Sequence, residues 1–404
     1  MLYYEIKKVF SRTINRAVLV VLAVVLAAAT VMALRLTYWV NDAGESEYGI
    51  GAIQKMAEAQ HAWAGPLTEE RIAEVLEENA RINRSPQAQS EDIQQNDIAY
   101  GWGQGIAGIR DLINCSFSPF YQYDYYAADA LTAADAADFY GNRMVRLEEW
   151  LSTKTFSDAE EQYLAEKYNE LETPLNYDYV GSWDGFFQGV VTVQMFLAML
   201  LGFLVSGIFS GEIQTKADAV FFAAQHGRGK AIRAKLLAGF CIVSVLYWVV
   251  FLVYTVLVLG WTGFMGADCM LQVLEWRSFY NITIGQEYWL VAFGGYLGCL
   301  FLSSLAMLVS AKTHSTVLAA LVSFVAVFIP SFLANQIDRP LMDKIVGLLP
   351  DQLLQLHFLT SRFKLYSVGG TVVGSAILLF VLYTALTLLL QPALYASFRR
   401  QEVR

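Results

Sequence analysis

The sequence predicts an all-α polytopic membrane protein: six transmembrane helices, with a mainly helical extracytoplasmic domain inserted between the first and the second. Three observations carry this. Hydrophobic residues make up 56% of the 404-residue chain and charged residues 16%, far from the balance of a soluble globular protein. Uncharged apolar runs recur six times, each long enough to cross a bilayer once. Charge is also segregated: residues 40–185 hold 27 of the 37 acidic side chains and 9 of the 28 basic ones, a net of −18 against +9 for the remainder.

The elements follow in order. Residues 1–16 place Leu2, Ile6, Val9, Phe10 and Thr13 on one helical face and Lys7, Lys8 and Arg12 elsewhere, as an amphipathic helix lying in the membrane plane requires. The first span is 17–39. Its charge-free stretch, Ala17 to Leu34, exceeds the ~7–15 residues of a signal-peptide core, so it reads as a retained span. Arg35 can snorkel there, and Tyr38 with Trp39 forms an interfacial aromatic pair. The acidic domain occupies 40–184. Within it, Thr68 opens a helix carrying Ile72, Val75, Leu76 and Ala80, and Ser157 with Glu160 forms a capping box ahead of Tyr163 and Leu164. A third helix is expected over Ala133 to Leu151. Gly101, Gly103, Gly105 and the aromatic cluster Phe117 to Tyr126 read as packed loops.

The remaining spans are 185–210, 236–260, 288–311, 313–336 and 365–395, each near the ~20 residues that a helix needs to cross a bilayer. A cytoplasmic segment, 211–235, joins spans two and three; an outer loop, 261–287, follows span three. Residues 337–364 alternate apolar stretches with Pro340 and Pro350, as helices that dip into the outer leaflet and return would do. Residues 396–404 form a short tail. Gly294 with Gly298, and Gly370 with Gly374, would permit close helix packing. Lys7, Lys8, Arg12 and Arg16, the basic residues from Lys216 to Lys235, Lys312, Arg399, Arg400 and Arg404 all fall on one side of a six-span chain. The positive-inside rule makes that side the cytoplasm and leaves the acidic domain outside.

Catalytic chemistry is not legible. Gly227-Arg228-Gly229-Lys230 lacks the first glycine of a P-loop, and Ala231 stands where its Mg-binding hydroxyl would be. His61, His226, His314 and His357 have no metal-ligand spacing and read as lone surface or interfacial residues. Asp124, Asp129, Asp135 and Asp138 read as a solvated acidic face. Cys241 and Cys299 sit in spans as small hydrophobes, while Cys115 and Cys269 both face outward and could pair. No carboxylate, lysine or arginine lies at mid-depth in spans two to six, so a self-energised carrier is disfavoured and energy would come from another chain. The acidic chain has no nucleic-acid footprint.

The segment from Phe209 to Lys235 suggests which chain. It reads as a short helix with Ile213, Ala217, Val220, Phe221 and Ala224 on one face, ended by Gly227 and followed by basic residues. Glu212, the pair Phe221 and Phe222, Gly227, Arg228, Ile232 and Lys235 occur in an order that resembles the signature of a family: the membrane subunits of two-component, ABC-2-type exporters of the type V fold. The family often has a glycine soon after the glutamate, where this chain has Lys216. The resemblance covers about 260 residues of the membrane part.

It implies an export permease half with an ATPase-docking coupling segment made of those seven residues. It further implies a second permease half, identical or paralogous, and a separate ABC ATPase subunit that carries the ATP and Mg, so this chain would hold no cofactor and be no enzyme itself. The bilayer would be a bacterial cell membrane with both termini cytoplasmic, and the export substrate is not specified. The alternative is a multi-span receptor or scaffold whose outer domain senses an extracellular ligand.

Overall fold

A computed structural model describes residues 1–154, 156–224, 227–334 and 340–400. The N-terminal helix α1 (Leu2–Ser11) is separated from α2 (Thr13–Arg35) by Arg12, whose extended backbone turns the chain (ψ 128°). The break would strand the last carbonyls of α1, and two side chains take them up. Asn15 Nδ2 donates to the Val9 carbonyl at 2.7 Å, and Arg16 Nε donates to that of Phe10 at 3.0 Å. The N-terminal helix therefore ends five residues before position 16, and the first long apolar helix starts at Thr13. It also stops at Arg35: Tyr38 and Trp39 enter strand β1 (Tyr38–Val40), which pairs antiparallel with β2 (Ser46–Tyr48).

The inserted domain contains α3 (Ile50–His61), α4 (Glu69–Asn83), α5 (Ile93–Gly103), α6 (Ala107–Phe117), α7 (Gly141–Leu151) and α8 (Asp158–Asn169). A short antiparallel pair, β3 (Gly65–Pro66) and β4 (Asn176–Tyr177), closes it. Thr68 caps α4 by accepting from Arg71 N–H, and the Ser157–Glu160 capping box opens α8. Ile72, Val75, Leu76, Ile109 and Ile113 form the domain's core. The expected helix over 133–151 is broken into a 3-10 turn (Ala133–Asp138), opened by Thr132 N–H donating to the Asp135 carboxylate at 2.7 Å, and α7. Gly101 and Gly103 lie in α5 rather than in a loop. Cys115 and Cys269 are free thiols, not a disulfide. Asp124, Asp129 and Asp138 are exposed, as a solvated face requires, and Asp129 is also tied to Asn79 and Asn83, each at 2.9 Å.

The bundle is built around α9 (Gly181–Gln214), which packs against α2 and against three of the apolar helices that follow, α11, α12 and α13. After it come α10 (Asp218–Ala223), a π-helical turn (Gly227–Ala231) continuous with α11 (Ile232–Leu259), α12 (Ile284–Thr313) and α13 (Thr316–Ala334). Then follow α14 (Pro340–Val346), a 3-10 turn (Pro350–Gln355), α15 (Leu356–Thr360) and, after a hairpin, α16 (Ser375–Arg399). Among the described residues, 5 helices are long and apolar enough to cross a membrane: α2, α9, α11 with its π turn, α12 and α16. The expected fifth span is α13, a shorter apolar helix with Pro330 near its end. The last residues of that expected span, His226 and the tail from 401 lie outside the described residues.

The last span starts ten residues later than expected. Leu365 to Gly374 is a hairpin of β5 (Leu365–Val368) and β6 (Thr371–Gly374), turned by Gly369 and Gly370 at φ 60° and 87°. β-Branched residues flanking two glycines favour this two-residue turn over a helix, which is why Gly370 and Gly374 do not line a helix seam. Gly294 and Gly298 do serve close packing, but of α12 against the 350–356 turn: a Cβ at Gly298 would stand 2.8 Å from Leu354 Cδ2, and one at Gly294 would collide with Leu356 Cδ1.

Candidate functional site

All seven candidate residues gather at the end of the bundle where α9 and α11 meet α1 and where α16 ends. Two sub-structures result. The first is ionic. Lys235, one turn into α11 and 1% exposed, places Nζ 2.6 Å from Glu212 Oε1 and 3.0 Å from Glu5 Oε2, and donates to the Ile208 carbonyl at 2.8 Å. Lys8 completes the group at 2.8 Å from Glu5 and 3.1 Å from Glu212. Burial pushes the Glu5 carboxyl up, but Lys235 and Lys8 outweigh it and hold the group below the ordinary range. Lys8 is likewise pulled down by burial and carried above its usual value by Glu5 and Glu212. Four charges thus join α1, α9 and α11, beside a cavity of about 300 Å³ that Arg12 also lines.

The second sub-structure is aromatic. Phe221 and Phe222 meet edge to face at 5.3 Å, and both pack on Phe398 of α16 at 5.9 and 5.3 Å; Phe209 reaches the same ring at 4.9 Å. Arg228 lies over Phe222, its guanidinium carbon 4.8 Å from the ring centroid, and donates to the Arg399 carbonyl at 2.8 Å. A cation at the C-terminus of α16 satisfies a carbonyl that the helix leaves open and complements its dipole. Lys235 Nζ, 5.3 Å from the Phe221 ring, links the two sub-structures.

Two backbone features permit the turn. Gly227 opens the π-helical turn with its N–H on the Ala224 carbonyl at 2.9 Å, and a Cβ there would collide with the Phe221 carbonyl oxygen. Lys216 adopts φ 56°, the left-handed region that favours glycine, at the place where the resemblance expects one. Ile232 is fully buried beneath. The apolar face anticipated for the short helix is divided in two: Phe221 and Phe222 turn inward, whereas Val220 is 77% exposed and Ala217 and Ala224 are exposed beside it.

A buried polar cluster at the opposite end of the bundle was not legible. His357 is 2% exposed, stacks on Phe187 at 4.6 Å, and sets Nδ1 3.1 Å from Glu287 Oε1. Thr360 Oγ1 donates to the same oxygen at 2.7 Å, and Glu275 lies 3.7 Å from His357 Nε2. Burial alone would lower the His357 pKa, but Glu287, Glu275 and Asp184 carry it above its ordinary value. Nearby Asp351 is fully buried, and loss of solvent pushes its carboxyl up to about 6 against the donors Gln352 and Gln355. His357 is therefore no surface histidine. The available signal was a histidine inside an apolar run, Leu353 to Thr360, together with a glutamate one residue past the Thr283–Gln286 capping box. Among the described residues no group of three or more metal-ligating side chains stands together.

No protein-family model, curated protein or solved structure matches this chain.

Proposed function

We propose that this chain is the membrane-spanning half of an ATP-driven exporter, with six spans, both termini cytoplasmic and the acidic domain outside the cell. The segment from Glu212 to Lys235 would receive a separate ABC ATPase subunit. One observation supports this most: the segment is wired to two other helices at once, through Glu212 and Lys235 to α1 and through Phe221, Phe222 and Arg228 to the end of α16. A passive connector needs no such wiring. A segment that must transmit a push from an ATPase to the spans does, because force passes only through elements that move together.

On this reading the two faces of the segment take two roles. Phe221, Phe222, Gly227, Arg228, Ile232 and Lys235 transmit; the exposed face at Ala217, Val220 and Ala224 docks. Two copies, or this chain with a paralogue, would flank the path. Isolation of the tagged chain from its native membrane in mild detergent, with and without Val220→Glu, tests the reading. The wild type should bring a P-loop ATPase with it and the variant should not. An ATPase retained equally by both would place docking elsewhere, and none with the wild type would leave the receptor or scaffold as the better account.

A further inference from the structure

The inserted domain holds a cavity of about 220 Å³ between α4, α5, the start of α6 and the chain from Tyr125 to Asp129. That is room for about seven waters at ~30 Å³ each, or for one small metabolite. Its polar wall is made by Asn79, Asn83, Asn96, Arg110 and Asp129.

The two charged groups on this wall are each used on one side only. Asn79 and Asn83, one turn apart on α4, both donate Nδ2 to Asp129 Oδ1 at 2.9 Å, and Arg110 Nη2 donates to the same oxygen at 3.3 Å. One carboxylate oxygen thus takes three donors. Its twin, Oδ2, accepts nothing among the described residues, and the Asp129 side chain is 29% exposed. Arg110 mirrors this: Nη2 also donates to the Tyr125 carbonyl at 3.1 Å, while Nη1 donates to nothing. The Tyr125 ring, its centroid 4.5 Å from the guanidinium carbon, holds the arginine in place.

The carboxamides repeat the pattern. Asn79, Asn83 and Asn96 each spend Nδ2 on the protein and leave Oδ1 without a donor. Asn79 is only 5% exposed, so the cavity is where its oxygen finds a partner. Where the domain closes on itself, carboxamides are used at both ends. Gln104 accepts the Val40 N–H at 2.8 Å and donates to the Val40 carbonyl at 2.9 Å; Asn114 accepts the Ala128 N–H at 2.9 Å and donates to the Tyr125 carbonyl at 3.0 Å. A polar atom in a nearly buried residue is costly to leave unpaired, so acceptors kept open along one cavity point to a donor that enters it.

The wall therefore carries one positive and one negative charge side by side, each with a free hand, among surplus acceptors. A simple cation would be repelled by Arg110, and a simple anion by Asp129. We propose that this cavity binds a free α-amino acid with a hydrophobic side chain. Its carboxylate accepts from Arg110 Nη1, and its ammonium donates to Asp129 Oδ2 and to the open oxygens of Asn79 and Asn83. Its side chain lies against the exposed rings of Tyr100 and Tyr126, which line the same cavity. The assignment concerns the inserted domain alone and does not rest on the ATPase reading.

The test is isothermal titration calorimetry on the purified full chain in phosphatidylcholine nanodiscs. The probes are L-alanine, L-leucine and L-phenylalanine, with the amide and the N-acetyl derivative of each. At least one free amino acid should bind, and its amide and N-acetyl forms should each bind about ten- to a hundredfold more weakly, the worth of one charged hydrogen bond. Arg110→Gln should bind the free acid and the amide alike, and Asp129→Asn the free amine and the N-acetyl form alike. The derivative series on the wild type decides the matter even where a variant fails to fold. No binding by any of the three amino acids, equal binding of a derivative, or binding of methyl glucoside in their place would overturn the assignment.

Discussion

The ammonium of Lys235 lies 2.6 Å from the carboxylate of Glu212, in a site where the lysine is 1% exposed, so the start of α11 is bolted to the end of α9. Taking two charges out of water is costly, and their attraction offsets that cost only while both remain. The bolt also holds α1, through Glu5 and Lys8.

Removing one partner should therefore cost more than removing both. Lys235→Met leaves Glu212 and Glu5 facing each other, and a loss of about 3–5 kcal/mol is expected. Lys235→Met with Glu212→Gln should recover much of it. Thermal unfolding of the detergent-solubilised protein across this double-mutant cycle measures the coupling.

Glycines 227 and 229 should behave oppositely. Gly227→Ala forces the Phe221 carbonyl aside and should cost about 1–3 kcal/mol, loosening the contact of Phe221 and Phe222 with Phe398. Nothing lies within 4 Å of a Cβ at Gly229, so Gly229→Ala should be neutral or stabilising by up to ~1 kcal/mol. Limited proteolysis of the segment reads out the difference.

At Lys216 the left-handed backbone strains a residue with a Cβ. Lys216→Gly relieves that strain, which is worth about 1–2 kcal/mol, while loosening the unfolded chain by up to ~1 kcal/mol. The net should be neutral to slightly stabilising. A thermal midpoint lowered by several degrees would contradict it.

The cluster around His357 should make stability fall as pH rises. The folded His357 pKa lies above its unfolded value, so its contribution is full below about 6.5 and is lost as pH climbs through the folded value. Asp351, at about 6 when folded, contributes below about 4 and loses that contribution between about 4 and 6, roughly 3 kcal/mol in all. Relative to wild type, Asp351→Asn should gain stability across pH 4 to 6, and the deficit of His357→Gln should shrink above 6.5. Thermal midpoints from pH 4 to 8 separate the two limbs.

Much of the fold was legible because lipid demands long apolar helices and capping chemistry is local. The apolar runs place the five long helices, and Thr68 and the Ser157–Glu160 box set the starts of α4 and α8. The hairpin at Leu365 to Gly374 was hidden, because an uncharged β-branched stretch reads the same as a span until the Gly369–Gly370 turn is weighed. The neighbourhood of the seven candidate residues was legible, but not the sense of their faces. A period of 3.6 puts Val220 and Phe221 on one side of a helix, and only Phe398, 177 residues further on, pulls Phe221 inward. The His357–Glu287 pairing spans 70 residues, a separation that no local pattern encodes.

The most direct measurement is a quantitative affinity isolation of the tagged chain from its native membrane, with mass spectrometry and an ATPase assay of the eluate. The account predicts a stoichiometric ABC ATPase and hydrolysis, both lost on Val220→Glu while the chain still inserts and unfolds at the wild-type temperature. A chain recovered without any ATPase, under conditions that keep other membrane complexes intact, would contradict it.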